Sequence, residues 1–146
     1  GGAKEGKKIK KAFLDKTPAL RQLREAITKA AGRGYIKALD GRHIHIRSPH
    51  AALNSLLQSA GAIICKQWLV EFENEMQAQG YAHGWNGDYC LCAWVHDEIQ
   101  VAVREDLAHK VGEIAVQTIQ RVTEVFNFKC PLDGEFNIGS SWAETH

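Results

Sequence analysis

The sequence predicts an α+β fold, in which an antiparallel sheet is backed by two long helices and preceded by basic helices. Three observations support this prediction. Apolar residues recur at helical spacing over two stretches, 49–79 and 106–126. Apolar runs flank turn-forming or charged residues in two predicted hairpins, 35–47 and 89–103. A further strand-like run, 131–138, is expected to add a last strand to the sheet of the second hairpin.

Charge is distributed unevenly along the 146 residues, whose formal net charge is +1. Residues 1–47 carry 13 Lys and Arg residues against 4 Asp and Glu residues, a net charge of +9, whereas residues 48–146 carry a net charge of −8. A basic segment joined to an acidic one suits a protein that holds a polyanion with one part and cations with the other. A lysine-rich helix can also be only a solvated face, and composition does not decide between the two.

Composition argues against a membrane protein, because no apolar run approaches the roughly 20 residues that span a bilayer. No signal peptide is visible, so we expect a soluble intracellular protein. The cysteines have neither a paired framework nor metal-binding spacing, and we expect them to be reduced core residues: Cys65, Cys90, Cys92 and Cys130. Because the sequence begins with Gly1 and not with Met, we expect processing, cloning or truncation upstream.

Two helices are predicted at the start of the chain. The first, from Ala3 to Leu14, is rich in lysine. Thr17 followed by Pro18 is the signature of an N-cap and a first helical residue, so a second helix should run from Pro18 to about Ala31.

Asp40-Gly41 predicts a tight turn in the hairpin that follows. His43 and His45 alternate with isoleucines and should share one face of their strand. Two histidines could bind a metal, but no third ligand is evident, and exposed polar positions are the simpler interpretation.

The long helix predicted over residues 49–79 carries a polar row beside its apolar stripe. His50, Asn54 and Gln58 follow one another at i, i+4 spacing, and Gly61 would permit close approach of another molecule. Hydrogen-bonding side chains of this kind suit the DNA minor groove, where every base pair offers acceptors, although a solvated stripe fits the pattern too. The apolar positions expected to be buried are Leu53, Leu56, Leu57, Ala60, Ile64, Trp68, Phe72 and Met76.

The most distinctive stretch is 93–103, where His96, Asp97 and Glu98 interrupt an apolar run and are expected to form the turn of the second hairpin. Paired carboxylates on a rigid turn suit a hard divalent cation such as Mg²⁺, which prefers oxygen ligands. Charged strand connections are usually only solvated surface, so this motif needs support from the rest of the sequence.

That support comes from runs distributed over the whole chain: Phe13-Leu14, Thr17-Pro18, 39–42, 47–54, 56–62, 83–85, 93–101 and 141–143 with His146. In this order they resemble the C-terminal part of a family A (DNA polymerase I family) DNA polymerase, especially the replicative enzymes of T-seven-type phages. The resemblance assigns residues 1–47 to the end of the fingers and 48–146 to the C-terminal half of the palm.

The resemblance implies that Asp97 is the motif C carboxylate that ligates catalytic Mg²⁺ ions, with Glu98 in a supporting role. It also implies a set of side chains that contact primer-template DNA or lie near the incoming deoxynucleoside triphosphate: His96, Asn54, Gln58, His50 and Arg42. The implied reaction is nucleotidyl transfer, in which the primer 3′-hydroxyl attacks the α-phosphate in line and two metal ions stabilise the developing charge. Such an enzyme would work in the cytoplasm, that of the host cell if a phage encodes it.

The sequence lacks the second metal-binding aspartate (motif A) and the triphosphate-binding helix (motif B) of that family. We therefore expect the chain to be inactive alone, whether it is a fragment or the subunit of a naturally split polymerase, and to need a partner, the N-terminal polymerase portion that carries both motifs. An uncovered sheet edge is also expected, which such a partner or a homodimer could bury. The alternatives are a non-catalytic DNA-binding module and a small metal nuclease built on His96, Asp97 and Glu98.

Overall fold

A computed structural model describes residues 2–145 and confirms the mixed α+β class. The elements in chain order are α1 (Ala3–Lys16), α2 (Pro18–Ala31), β1 (Tyr35–Lys37), β2 (His43–His45), α3 (Ala52–Ala78), β3 (Tyr89–Val95), β4 (Glu98–Val103), α4 (Ala108–Val125) and α5 (Trp142–Thr145). Short 3₁₀ turns, Pro49–Ala51 and Glu105–Leu107, precede α3 and α4. Within residues 2–145, no helix is long and apolar enough to cross a membrane.

The chain divides into two compact units, Gly1–Ala60 and Gly61–His146, and the boundary falls inside α3. Each unit has its own hydrophobic core. Residues 48–60 contain no Lys, Arg, Asp or Glu, so the first unit carries the net charge of +9 and the second that of −8. The assignment of residues 1–47 to the fingers and 48–146 to the palm stays a prediction.

In the first unit, α2 has the predicted bounds, and α1 continues two residues beyond its predicted end. Pro18 is the first residue of α2, where its missing N–H costs no helical hydrogen bond. The predicted N-cap is wrong in one respect, because the Thr17 hydroxyl makes no capping bond to α2. It donates instead to the carbonyl oxygen of Phe13 at 2.8 Å and so secures the end of α1.

The predicted turn at Asp40-Gly41 is present between β1 and β2. Gly41 has a φ of +85°, and its amide donates to the carbonyl oxygen of Ala38 at 3.0 Å. One face of this antiparallel hairpin packs into the core of the unit through Ile36 and Ile44. The other buried members of that core come from α2, the residue after β2 and the start of α3: Ile27, Ala31, Ile46 and Ala52.

In the second unit, β3 and β4 pair in antiparallel fashion, with a bulge between Leu91 and Ala93. The sheet packs on α3 and α4 through a core of five buried residues: Phe72, Met76, Tyr89, Val111 and Ile114. The Trp68 indole N–H donates to the carbonyl oxygen of Ala115 at 2.8 Å, which ties α3 to α4.

The predicted last strand over residues 131–138 is wrong. This stretch has an irregular backbone, and it contacts α4 through side chains and through one backbone amide. The Leu132 amide donates to Thr123 Oγ1 at 2.8 Å, and the ring of Phe136 lies against Gly112, where a Cβ atom would come within 2.3 Å of the ring. The sheet therefore has two strands, β3 and β4.

Some burial predictions also fail. Leu57, placed on the buried stripe, is 58% exposed, whereas Phe72 and Met76 are buried as predicted. All four cysteines are free thiols, as expected, but only Cys65 is buried, and both Cys92 and Cys130 are exposed. His146, part of the matched C-terminal end, lies outside the described residues.

Candidate functional site

The turn between β3 and β4 consists of two residues, His96 and Asp97, because Val95 pairs with Glu98 across the hairpin. Glu98 is thus the first residue of β4, which corrects its predicted place in the turn. Both turn residues are exposed. The short turn therefore presents the Asp97 carboxylate to solvent at the tip of a paired hairpin.

His96 has a φ of +56°, a left-handed conformation that costs a non-glycine residue about 1–2 kcal/mol. Glycine or asparagine is the common solution in a two-residue hairpin turn. The Trp94 indole N–H donates to the carbonyl oxygen of His96 at 2.7 Å and helps to hold the backbone in this shape. Because strained backbone collects at functional sites, the positive φ of His96 makes this turn a candidate functional site.

Three residues near the turn were not predicted to be site residues. The Lys66 ammonium group lies 6.0 Å from the centroid of the Trp94 ring. Burial raises the pKa of the Cys65 thiol, and the charge of Asp97 raises it further, so these two groups interact electrostatically. Trp94 could have been noticed two residues before His96, but Cys65 and Lys66 are remote in sequence, and nothing in the sequence indicated that they lie near the turn.

A metal ion could use Asp97 as one ligand, since an exposed carboxylate suits a hard divalent cation. The neighbouring Glu98 carboxylate accepts a hydrogen bond from the side-chain amide of Gln100. In the part of the chain that the structure describes, however, no group of three or more His, Cys, Asp or Glu side chains could hold a metal. These residues could therefore supply part of a donor set, and the described residues contain no complete site.

The polar row lies in the first unit. His50 is in the 3₁₀ turn before α3, Asn54 and Gln58 are in its first two turns, and all three are exposed. His50 also lines an open cleft of about 510 Å³. The cleft carries three permanent cations and a single carboxylate, and its other lining residues are Leu14, Arg21, Arg24, Glu25, Thr28 and Lys29. Its surroundings are therefore electropositive.

Arg42 is engaged within the β1–β2 turn. Its guanidinium group lies 2.6 Å from the Asp40 carboxylate, and this hydrogen-bonded pairing lowers the pKa of Asp40 and raises that of Arg42. The side chain is 57% exposed. A phosphate could therefore reach Arg42, but it would compete with Asp40 for the same donors.

The structure thus brings the predicted site residues together as two groups, one in each unit: His96, Asp97 and Glu98 on the β3–β4 hairpin, and His50, Asn54 and Gln58 at the start of α3. Arg42 bonds to Asp40 rather than to either group.

Comparison with known proteins gives a consistent result. The family model for DNA polymerase family A matches residues 2–144. In alignments of 161 positions, gaps included, the chain is 48% identical to the DNA-directed DNA polymerase of Enterobacteria phage T3 and 47% identical to that of Escherichia phage T7. DNA polymerase I of Pseudomonas aeruginosa is 27% identical in an alignment of 147 positions, gaps included, that covers 92% of this chain and 14% of that protein.

A solved structure also resembles the chain, the POL domain of Pol1 from M. smegmatis in complex with DNA primer-template and dNTP. The TM-score is 0.71 at 18% identity, over 83% of this chain and 23% of that one, which is a likeness of fold. Each phage alignment covers 99% of this chain but only 23% of the relative's length. Because the family model matches nearly every residue, the chain belongs to the family A DNA polymerases.

Proposed function

We propose that this chain is the motif C part of a DNA-directed DNA polymerase and takes part in template-directed nucleotidyl transfer to a primer 3′-hydroxyl. One observation carries the proposal: Asp97 is exposed on a two-residue turn whose first residue, His96, is held at positive φ. A hairpin that only connected two strands would favour glycine or asparagine there. The phage relatives are named DNA-directed DNA polymerases, which is consistent with this role.

In this proposal Asp97 is one oxygen ligand of a divalent-metal site, and Mg²⁺ is the ion that such a ligand favours. When bound, the metal supplies stabilisation of the charge on the transferring phosphate. Since residues 2–145 contain no group of three metal-binding side chains, the other ligands come from a partner segment that carries motifs A and B. Glu98 supports the turn from the first position of β4.

The basic unit is proposed to bind the primer-template. Amide donors of Asn54 and Gln58, on an exposed helical row with His50, match the minor-groove acceptors that every base pair presents. The adjoining electropositive cleft suits a backbone phosphate. His96 would add a further minor-groove contact, and Arg42 would bind DNA by exchanging the Asp40 carboxylate for a phosphate oxygen.

A complementation assay tests this function. The chain is mixed with an N-terminal portion of a phage polymerase that carries motifs A and B, and extension of a labelled primer is followed with dNTPs and Mg²⁺. Extension should require both chains and should be lost with Asp97→Asn. Glu113→Gln, which removes an exposed carboxylate from α4, is the matched control and should extend normally.

A non-catalytic DNA-binding module is the second candidate, and the incomplete donor set in residues 2–145 favours it. Such a module would bind duplex DNA in a salt-dependent way that Asp97→Asn does not change. Primer extension would not appear with any partner. Nicking of plasmid DNA in Mg²⁺ by the chain alone would instead indicate the nuclease built on His96, Asp97 and Glu98.

A further inference from the structure

We propose that the exposed face of the β1–β2 hairpin is a stacking platform for unpaired bases of single-stranded DNA. The two faces of this hairpin differ in chemistry, because Ile36 and Ile44 pack into the core of the first unit. The residues that alternate with them share the opposite face, as the register of the strands requires: Tyr35, Lys37, His43 and His45. That face is aromatic and cationic.

Its side chains already form a stack. The rings of Tyr35 and His43 lie with their centroids 4.1 Å apart at an interplanar angle of 30°. The Arg33 guanidinium carbon lies 5.5 Å from the centroid of the Tyr35 ring. Tyr35 is half-buried, while Arg33 and His43 are exposed, so an imidazole and a guanidinium group remain accessible beside a supported phenol ring.

The charge of the surroundings complements a nucleic acid. The face belongs to the unit with a net charge of +9, and Lys37 and Arg33 stand next to the rings. The carboxylate in the adjacent turn, Asp40, is paired with Arg42. Aromatic rings on which bases stack, set among basic residues that follow the backbone, are the usual means of binding single strands without sequence preference.

Ring faces favour a single strand over a duplex, because the faces of paired bases are covered by their neighbours in the helix. A metal site on His43 and His45 is a poorer fit, since the described residues contain no group of three metal-binding side chains. The single strand would be the template ahead of the primer end. This identification of its source rests on the proposed function, whereas the binding itself does not.

Fluorescence anisotropy of the whole chain with a labelled oligothymidine and with a duplex hairpin tests the platform. His43→Ala removes a ring on which one base would stack. It should lower the affinity for the single strand on the order of tenfold and leave duplex binding unchanged. His43→Phe retains a ring and should restore binding. Lys8→Ala, which removes an exposed charge from α1, should weaken both ligands equally.

An equal loss for both ligands, or no loss with His43→Ala, would overturn the proposal. Thermal unfolding checks that each variant is folded. If His43→Ala does not fold, photocrosslinking of the unaltered chain to an iodouracil oligonucleotide provides the test. Adducts are expected on Tyr35 or His43. Adducts confined to other residues would contradict the platform. These assays contain no metal, nucleotide or partner, so they can fail while primer extension succeeds, and the reverse.

Discussion

Replacing His96 with glycine should stabilise the chain although it removes a proposed DNA contact. The left-handed φ of +56° costs histidine about 1–2 kcal/mol, and glycine removes that cost. Glycine also makes the unfolded chain more flexible, which offsets about 0.4–1 kcal/mol of the gain. The imidazole is exposed, so little packing is lost. The midpoints of these two ranges leave a net gain of about 0.8 kcal/mol in the free energy of unfolding.

Urea denaturation followed by circular dichroism measures this gain, and Tm should rise by roughly 1–4 °C for a chain of this size. His96→Ala is the control that keeps the β-carbon, and it should not stabilise the chain. Asn127 also has a positive φ, +51°, but lies away from the turn. Asn127→Gly should therefore gain less stability than His96→Gly, because asparagine tolerates this conformation. A loss of stability with His96→Gly, or an equal gain with His96→Ala, would refute the reasoning from strain.

Three further predictions follow from particular contacts. Gly112→Ala should destabilise the chain, because its Cβ would lie 2.3 Å from the Phe136 ring. In a Phe136→Ala background, Gly112→Ala should instead raise the free energy of unfolding by up to about 1 kcal/mol in urea titrations. A loss of stability in that background too would contradict the proposed clash. Burial alone would raise the pKa of Glu73, but the hydrogen bonds that its carboxylate accepts lower it below the ordinary 4.5. Its contribution to stability should therefore be complete above pH 4.5 and be lost as the pH falls through the lower folded value, so Glu73→Gln should flatten that part of an acid titration followed by circular dichroism. Trp94→Phe deletes the donor to the His96 carbonyl oxygen and should cost about 0.5–1.5 kcal/mol in urea, whereas an unchanged midpoint would show that this bond does not hold the turn.

Elements whose chemistry is local could be predicted from the sequence. Pro18 marked the start of α2 because a proline ring fits the first helical turn, and Gly41 marked a turn because it readily adopts positive φ. The side chain of Thr17 was predicted less well. Its hydroxyl could either cap α2 or donate to the end of α1, and it donates to the carbonyl oxygen of Phe13.

Features that depend on distant neighbours could not be predicted. The strand expected at 131–138 does not form, because Thr123 and Gly112 offer this stretch a surface on α4 that its own sequence does not reveal. Exposure of Leu57 likewise depends on what packs against α3.

In the candidate site, the position of Asp97 between two apolar runs was enough to place it at the turn. The pairing of Glu98 was missed because it depends on a turn length of two rather than three residues.

The role of Asp97 is tested most directly by the single-turnover rate of nucleotide addition in a chimaera, in which residues 2–144 replace the matching stretch of the phage T7 polymerase. We predict Mg²⁺-dependent addition by the chimaera and a rate on the order of a hundred- to a thousandfold lower with Asp97→Asn. Glu113→Gln should leave the rate unchanged. Addition at the unaltered rate by the Asp97→Asn chimaera would contradict the assignment of this carboxylate to the catalytic metal.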